Sequence, residues 1–239
     1  MGFALACALL AGNADASVTI AGTRVVYPMD QREVTVKLNN DSKDPSLVQV
    51  WMDDGDSNAK PGDIRVPFVI TPPIFRMDAQ KSQTLRVIYS GSALPADRES
   101  LFWLNVLDIP PKAKEAADAN SLKFAFRTRI KVFVRPQKLA GTPEDAPGRL
   151  SWKVVPAEDG KGQALSVSNP TPYHVSFSEV NVDSGGQTFK NENGGMVAPL
   201  ATAVLPVPQM NGVQSGAKVR FTAISDFGAP LPGDATVGQ

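Results

Sequence analysis

Between residues 122 and 136 the sequence L-K-F-A-F-R-T-R-I-K-V-F-V-R-P alternates two kinds of side chain, a mostly basic row, with Ala125 and Phe133 between its cations, and an apolar row. Lys123, Arg127, Arg129, Lys131 and Arg135 could hold an anion such as a carboxylate. Leu122, Phe124, Phe126, Ile130, Val132 and Val134, interrupted only by Thr128, could fill an apolar groove. A period of two keeps these rows on opposite faces, whereas a helical period of 3.6 would mix them, so the segment must be a strand. It is about twice the usual strand length. One half should therefore lie in its own sheet while the other reaches elsewhere.

Catalytic chemistry is poorly represented. The chain contains no phosphate loop, no GxSxG elbow, no HExxH motif and no paired cysteines. Its one histidine, His174, stands beside Tyr173 at the start of a strand pattern and is read as structural. The run Asp53-Asp54-Gly55-Asp56-Ser57-Asn58 resembles a calcium loop, but Ala59 stands where Gly is required and Arg65 where a bidentate Glu belongs. A solvated turn is the simpler reading. Glu99, Asp226 and Arg135 suit a domain interface better than catalysis, because no histidine, cysteine or recognised nucleophile accompanies them. No enzyme, no metal and no cofactor is expected; binding is the default.

Composition supports that view. The 239 residues carry 24 Lys and Arg against 24 Asp and Glu. Such a balance argues against a nucleic-acid partner and makes the basic row a local feature. The first sixteen residues form a short apolar run ending in Ala14-Asp15-Ala16, which predicts a signal peptide over 1–16 and a mature start at Ser17. No Lys or Arg precedes the run, a departure from the normal signal. The run is too short to span a bilayer, so no stable membrane insertion is expected. Cys7, the only cysteine, lies inside it, so the mature chain would form no disulfide and hold no cysteine-based metal site. Cys7 is a poor lipoprotein cysteine, with Ala4 three places before it and the apolar run continuing beyond.

From residue 17 onward, short alternating segments are divided by Gly, Pro, Asn and Asp: 18–26, 33–38, 46–52, 68–71, 83–89 and 101–107. Residues 112–119 have helical propensity without an apolar face and are read as a loop. After the long strand, residues 137–148 hold Pro143 and Pro147 with little apolar content. A second series follows at 150–155, 164–168, 174–182, 203–207 and 218–224. This spacing predicts an all-β protein of two sandwich domains, 17–138 and 149–239, joined by a linker at 139–148 and meeting at a cleft.

Seven motifs in order along the mature chain resemble the PapD-like periplasmic chaperones of the chaperone-usher pathway: T-R-V-V-Y at 23–27, P-S-L-V-Q-V-W at 45–51, F-V-I-T-P-P at 68–73, R-E-S-L-F-W-L-N-V-L-D-I-P-P at 98–111, R-I-K-V-F-V-R-P at 129–136, N-P-T-P-Y at 169–173 and I-S-D-F-G-A at 224–229. The resemblance implies two immunoglobulin-like β-sandwich domains in an L shape, located in the periplasm. It also implies a pilus or fimbrial subunit as partner, whose incomplete sandwich is filled by a strand lent from the chaperone, and delivery to an outer-membrane usher. Strand lending is a general mode of recognition in which main-chain hydrogen bonds add a strand and alternate side chains give specificity.

On that basis Leu122, Phe124 and Phe126 are the lent side chains, whose burial contributes about 5–9 kcal/mol gross. Arg24 and Lys131, with Thr23 beside them, are implied to anchor the subunit's C-terminal carboxylate. Glu99, Arg135 and Asp226 are implied to form an interdomain charge network. Leu47, Gln49, Thr71, Pro73, Arg86 and Ile109 match positions associated with usher docking, although such residues could equally be core or turn. A short segment between Pro111 and Leu122 and the absence of a cysteine pair place the chain near the short-loop branch. Whether the free form caps itself as a dimer is left open. The alternative function is a surface-displayed structural or adhesive protein with two immunoglobulin-like domains.

Overall fold

A computed structural model describes residues 18–111, 124–158 and 160–238. The leader at 1–16, the loop at 112–119 and Leu122 lie outside the described residues. Among the described residues, seventeen strands and one short 3-10 turn make up the regular structure. Two separate cores account for the architecture, one in each half of the chain.

The first half contains β1 (Val18–Ile20), β2 (Arg24–Pro28), β3 (Glu33–Asn40), β4 (Ser46–Asp53), β5 (Phe68–Thr71), β6 (Ile74–Met77), β7 (Ser82–Tyr89), β8 (Ser100–Ile109) and β9 (Phe126–Arg135). A four-stranded sheet in the order β1-β3-β7-β5 packs on a five-stranded sheet in the order β2-β9-β8-β4-β6. Between them lie Leu38, Val48, Leu85, Leu104, Val132 and Val134, each essentially inaccessible to water. Alternation explains the layering: in β9 Ile130, Val132 and Val134 face the core while Arg129 and Lys131 face away.

The expected strand at 18–26 is in fact two. Ala21-Gly22-Thr23 breaks it, so that β1 joins β3 in one sheet while β2 runs parallel to β9 in the other. Gly22 permits the switch because its φ of +112° lies where a side chain would be strained.

The second half contains β10 (Ser151–Pro156), β11 (Gln163–Asn169), β12 (Val175–Ser184), β13 (Gln187–Asn191), β14 (Gly195–Val197), β15 (Ala201–Pro206), β16 (Lys218–Ile224) and β17 (Pro230–Gly238). Strands β13-β12-β16-β17 form one layer and β10-β11-β15 the other, with β17 crossing from one to the other by pairing with both β16 and β10. Trp152, Phe177 and Phe221 meet between the layers with ring centroids 5.6–5.7 Å apart. A Cβ on Gly233 would come within 2.6 Å of the Phe221 ring, so this position in β17 must stay bare for the ring to pack. The fold is two immunoglobulin-like β-sandwiches, as the pattern of short strands predicts.

Candidate binding cleft

Strand β9 carries the groups that make the site. Its C-terminal half is central, paired with β8 throughout and with β2 from Lys131 to Arg135. Among the described residues it pairs from Phe126 to Ile130 with β8 alone, which leaves its other edge open. Phe124 and Phe126 stand beside that open edge, 59 % and 55 % exposed, with ring centroids 6.5 Å apart. They do not face the domain's own core. Leu122 of the same row lies outside the described residues.

Parallel pairing of β2 with β9 sets Arg24 directly opposite Lys131. Both reach across to the second domain: the Arg24 Nη1 donates to the Ile224 carbonyl at 3.0 Å and the Lys131 Nζ to the Ser176 hydroxyl at 2.9 Å. Burial, reinforced by the charge of Arg24, pushes the Lys131 ammonium down from 10.5 to about 8. Arg24 is likewise lowered by burial, with Asp226 acting in the opposite direction. Thr23 is exposed beside them, and its hydroxyl lies 2.7 Å from where a side chain on Gly228 would begin. Two cations thus share a restricted space with few counter-charges, an arrangement suited to an incoming carboxylate.

Arg135 fastens the two domains. Its Nε donates to the Glu99 carboxylate at 2.7 Å, while Nη1 and Nη2 grip both oxygens of Asp226 at 2.7 and 3.0 Å. Burial works to lower the Arg135 pKa, but hydrogen bonds and charges from Asp226 and Glu99 prevail and raise it. Glu99 also accepts from the His174 backbone N–H at 2.8 Å and lies 3.1 Å from the His174 Nδ1. His174 is therefore structural, as expected, yet it belongs to the charge network, which the sequence did not indicate.

The outward row of β9 is braced by a cluster that sequence reasoning missed. Asp53, expected in a solvated turn, is fully buried at the end of β4. Its carboxylate pairs with both guanidinium nitrogens of Arg129 facing it and accepts from the Asn105 amide at 2.7 Å. Asn105 in turn accepts two N–H groups of Arg127 at 2.9 and 2.6 Å. Arg129 lies over the Trp103 ring at 4.0 Å and Arg127 over Trp51 at 4.9 Å. Although burial opposes it, hydrogen bonds from Arg129, Asn105 and the Gly55 N–H hold the Asp53 carboxyl below its usual range. The signal was present in β4, where Asp53 continues the tightly packed end begun by Met52. Only Asp54, Gly55, Asp56, Ser57 and Asn58 form the exposed turn.

The six residues associated with usher docking do not form one face. Leu47 lies opposite Ile109 and next but one to Gln49 on the five-stranded sheet, while Thr71 lies opposite Arg86 on the four-stranded sheet. Pro73 stands in the connection between β5 and β6. None belongs to the core, and Arg86 is tied to Glu33 by a bidentate ion pair.

An open strand edge flanked by exposed aromatic rings thus stands beside a basic cleft between two immunoglobulin-like domains, the features of a binding protein. Residues 17–140 match the family of pili and flagellar-assembly chaperones, PapD N-terminal domain, and residues 145–235 match the pili assembly chaperone PapD, C-terminal domain. The chain belongs to the PapD-like pilus-assembly chaperones.

It is 46 % identical over 232 residues to the probable fimbrial chaperone YadV of Escherichia coli K12, covering 96 % of this chain and 93 % of that one. The crystal structure of the YadV chaperone superposes with a TM-score of 0.79 at 42 % identity, covering 92 % of this chain and all of the other. The chaperone protein FimB/FhaD of Bordetella pertussis is 41 % identical over 237 residues, covering 97 % of this chain and 93 % of its relative. A chain from the complex of Salmonella enterica SafA pilin with the SafB chaperone matches at 29 % identity and a TM-score of 0.75, covering 95 % and 99 % of the two chains.

Two stability measurements check the electrostatics. Replacing Asp53 by Ala strands two partly buried guanidinium groups and should lower unfolding free energy by about 3–5 kcal/mol in a urea titration at pH 7. Because its folded pKa is depressed, Asp53 contributes fully above the ordinary carboxyl range near 4 and loses that contribution as pH falls through the folded value; the variant should lack this acid sensitivity. Lys131 behaves in the opposite sense. Its folded pKa is lowered, so the unfolded chain binds more protons between about pH 8 and 10.5, and stability should rise across that window. Lys131→Met should be about 1–2 kcal/mol more stable than wild type at pH 7 and flat across the same window.

Proposed function

We propose that this chaperone acts in the periplasm, where it holds a pilus subunit by lending it the N-terminal end of β9. Leu122, Phe124 and Phe126 enter the subunit's open groove, and the free edge of β9 completes its sheet. The observation that carries this reading is the pair of exposed rings, Phe124 and Phe126, beside an unpaired stretch of strand. Burying a phenyl ring contributes about 1.5–3 kcal/mol, and the edge hydrogen bonds fix the register at which the rings enter.

Arg24 and Lys131 receive the subunit's terminal carboxylate, with Thr23 as a neighbouring hydroxyl donor. Fixing the end of the chain at this point determines which subunit residues lie opposite the rings. Glu99, Arg135 and Asp226 keep the two halves of the anchor together, since each cation also bonds to the second domain. Leu47, Gln49 and Ile109 on the five-stranded sheet, with Thr71 and Arg86 on the four-stranded sheet and Pro73 in the β5–β6 connection, dock the loaded chaperone on the outer-membrane usher. Exposure of all six above the core level supports that assignment.

The domain limits we adopt are 17–138 and 149–239, with 139–148 as linker and 1–16 as leader. Assignment to the short-loop branch rests on the brief 111–122 segment and a mature chain without cysteine. In the absence of a subunit, the same edge and rings pair with a second copy. A sedimentation coefficient that does not change with concentration would exclude that dimer.

Co-expression with the pilus subunits of the same cell tests the central assignment. Arg24→Ala and Lys131→Ala should fold normally yet fail to co-purify a subunit or restore piliation; normal piliation in both would remove the anchor. Phe124→Ser with Phe126→Ser should abolish the complex while leaving the melting temperature unchanged, because neither ring is in the core. Above about pH 8, where free Lys131 loses its charge, the equilibrium affinity for the subunit should fall in wild type but not in Lys131→Arg.

A further inference from the structure

Among the described residues three phenylalanines are exposed over more than half their surface: Phe124 and Phe126 beside the proposed lent strand, and Phe227, which at 90 % is the most exposed large apolar side chain. A single exposed apolar residue is ordinarily unremarkable. Phe227 is different because the turn that bears it is held rigidly against the anchor.

Four restraints fix that turn between β16 and β17. Ser225 N–H donates to the Ala229 carbonyl at 2.9 Å, Gly228 N–H to the Ser225 carbonyl at 3.0 Å, and Ala229 N–H to the Ser225 hydroxyl at 3.0 Å. Asp226, immediately before Phe227, is locked in the bidentate pair with Arg135. Gly228, immediately after it, has a φ of +80° and packs so closely on Thr23 that a Cβ would lie 2.7 Å from the threonine hydroxyl. Ile224, three residues before it, supplies the carbonyl that takes Arg24. Phe227 is therefore flanked in sequence by residues that touch the anchor on both sides. Its ring is presented to water from a support with little freedom to retract.

We propose that Phe227 is an apolar lip of the carboxylate anchor that reads the last side chain of the bound subunit, favouring a bulky apolar residue there. The inference rests on the anchor assignment to Arg24 and Lys131. Because Arg24 bonds the Ile224 carbonyl at the start of this turn, a chain end held by Arg24 would lie beside the turn, and its last side chain would go either to water or against it. Phe133 beside Arg24 is buried and packed against His174, whereas the Phe227 ring is exposed and can take a new apolar contact. An aromatic surface held in place before binding loses little conformational entropy on contact. It would add discrimination where the charges alone treat all chain ends alike.

The test uses the pilus subunit that co-purifies with the chaperone, made in three forms whose last residue is Phe, Leu or Ala. Each complex is challenged with excess wild-type chaperone carrying a distinguishable tag, and the release rate is measured. Phe227→Ala should release the Phe- and Leu-ended subunits about tenfold faster and leave the Ala-ended form within about twofold. Phe227→Leu should remain near wild type. Unchanged rates for all three subunits, or an equal acceleration of all three, would overturn the lip. Arg24→Ala reports the anchor separately: it should speed release of every form, and rates unaffected by that change would remove the anchor whatever Phe227 does. Melting temperatures of both Phe227 variants should match wild type, because the ring makes no core contact.

Discussion

A single guanidinium sets the working geometry of this molecule. Arg135, at the end of the strand that also carries Lys131, reaches Glu99 in its own domain and Asp226 in the other. Asp226 opens the turn that packs on Thr23, and Ile224 just before it receives Arg24. The proposed anchor is therefore not a property of either domain alone. It exists because two sandwiches meet in one register, and that register is enforced by charges that would be poorly solvated if they separated. Buried ion networks contribute modestly to stability compared with apolar packing, but breaking one partner is costly. That asymmetry suits an interdomain hinge whose purpose is to hold an angle.

Alternation explains why one strand can perform several tasks. In the C-terminal half of β9, Val132 and Val134 face the domain's core while Lys131 and Arg135 face the cleft. Further towards the N-terminus, the same outward row is Arg127 and Arg129, and these are held by Asn105, buried Asp53 and two tryptophan rings. The brace matters because a lone edge strand frays without a partner. Holding the back of β9 down keeps its free edge extended, so the entropy of straightening the strand is already spent before an incoming chain pairs with it.

Much of this was legible in the sequence because it depends on local period and on residue type. The two rows of 122–136 and the series of short strands follow from alternation and turn residues. Strand β17 was not anticipated: its sequence, P-L-P-G-D-A-T-V-G, has the marks of a turn. It is tolerated because the prolines precede the stretch where β17 gains its second neighbour, β10, at Val237 and Gly238. The bare Gly233 is also explained only by the Phe221 ring across the strand pair. Asp53 was misplaced for a related reason. An acidic run looks solvated until the strand register sets its first member opposite Trp103 and beneath Arg129. Contacts between residues far apart in sequence, such as His174 with Glu99, carry no local pattern at all.

The groups assigned to binding are those the free protein accommodates least well. Lys131 is held in surroundings that depress its pKa to about 8, and Phe124, Phe126 and Phe227 keep apolar rings in water. Each could be replaced by a residue better suited to the unbound fold: a neutral chain at 131, polar groups at the other three positions. None of these features is needed by either core, since both cores close without them. A carboxylate beside Lys131 would restore the charged state that burial disfavours, and an apolar surface over the rings would remove them from water. The proposed site thus draws on positions that neither core requires, and the ligand it calls for is an extended apolar strand with a negatively charged end.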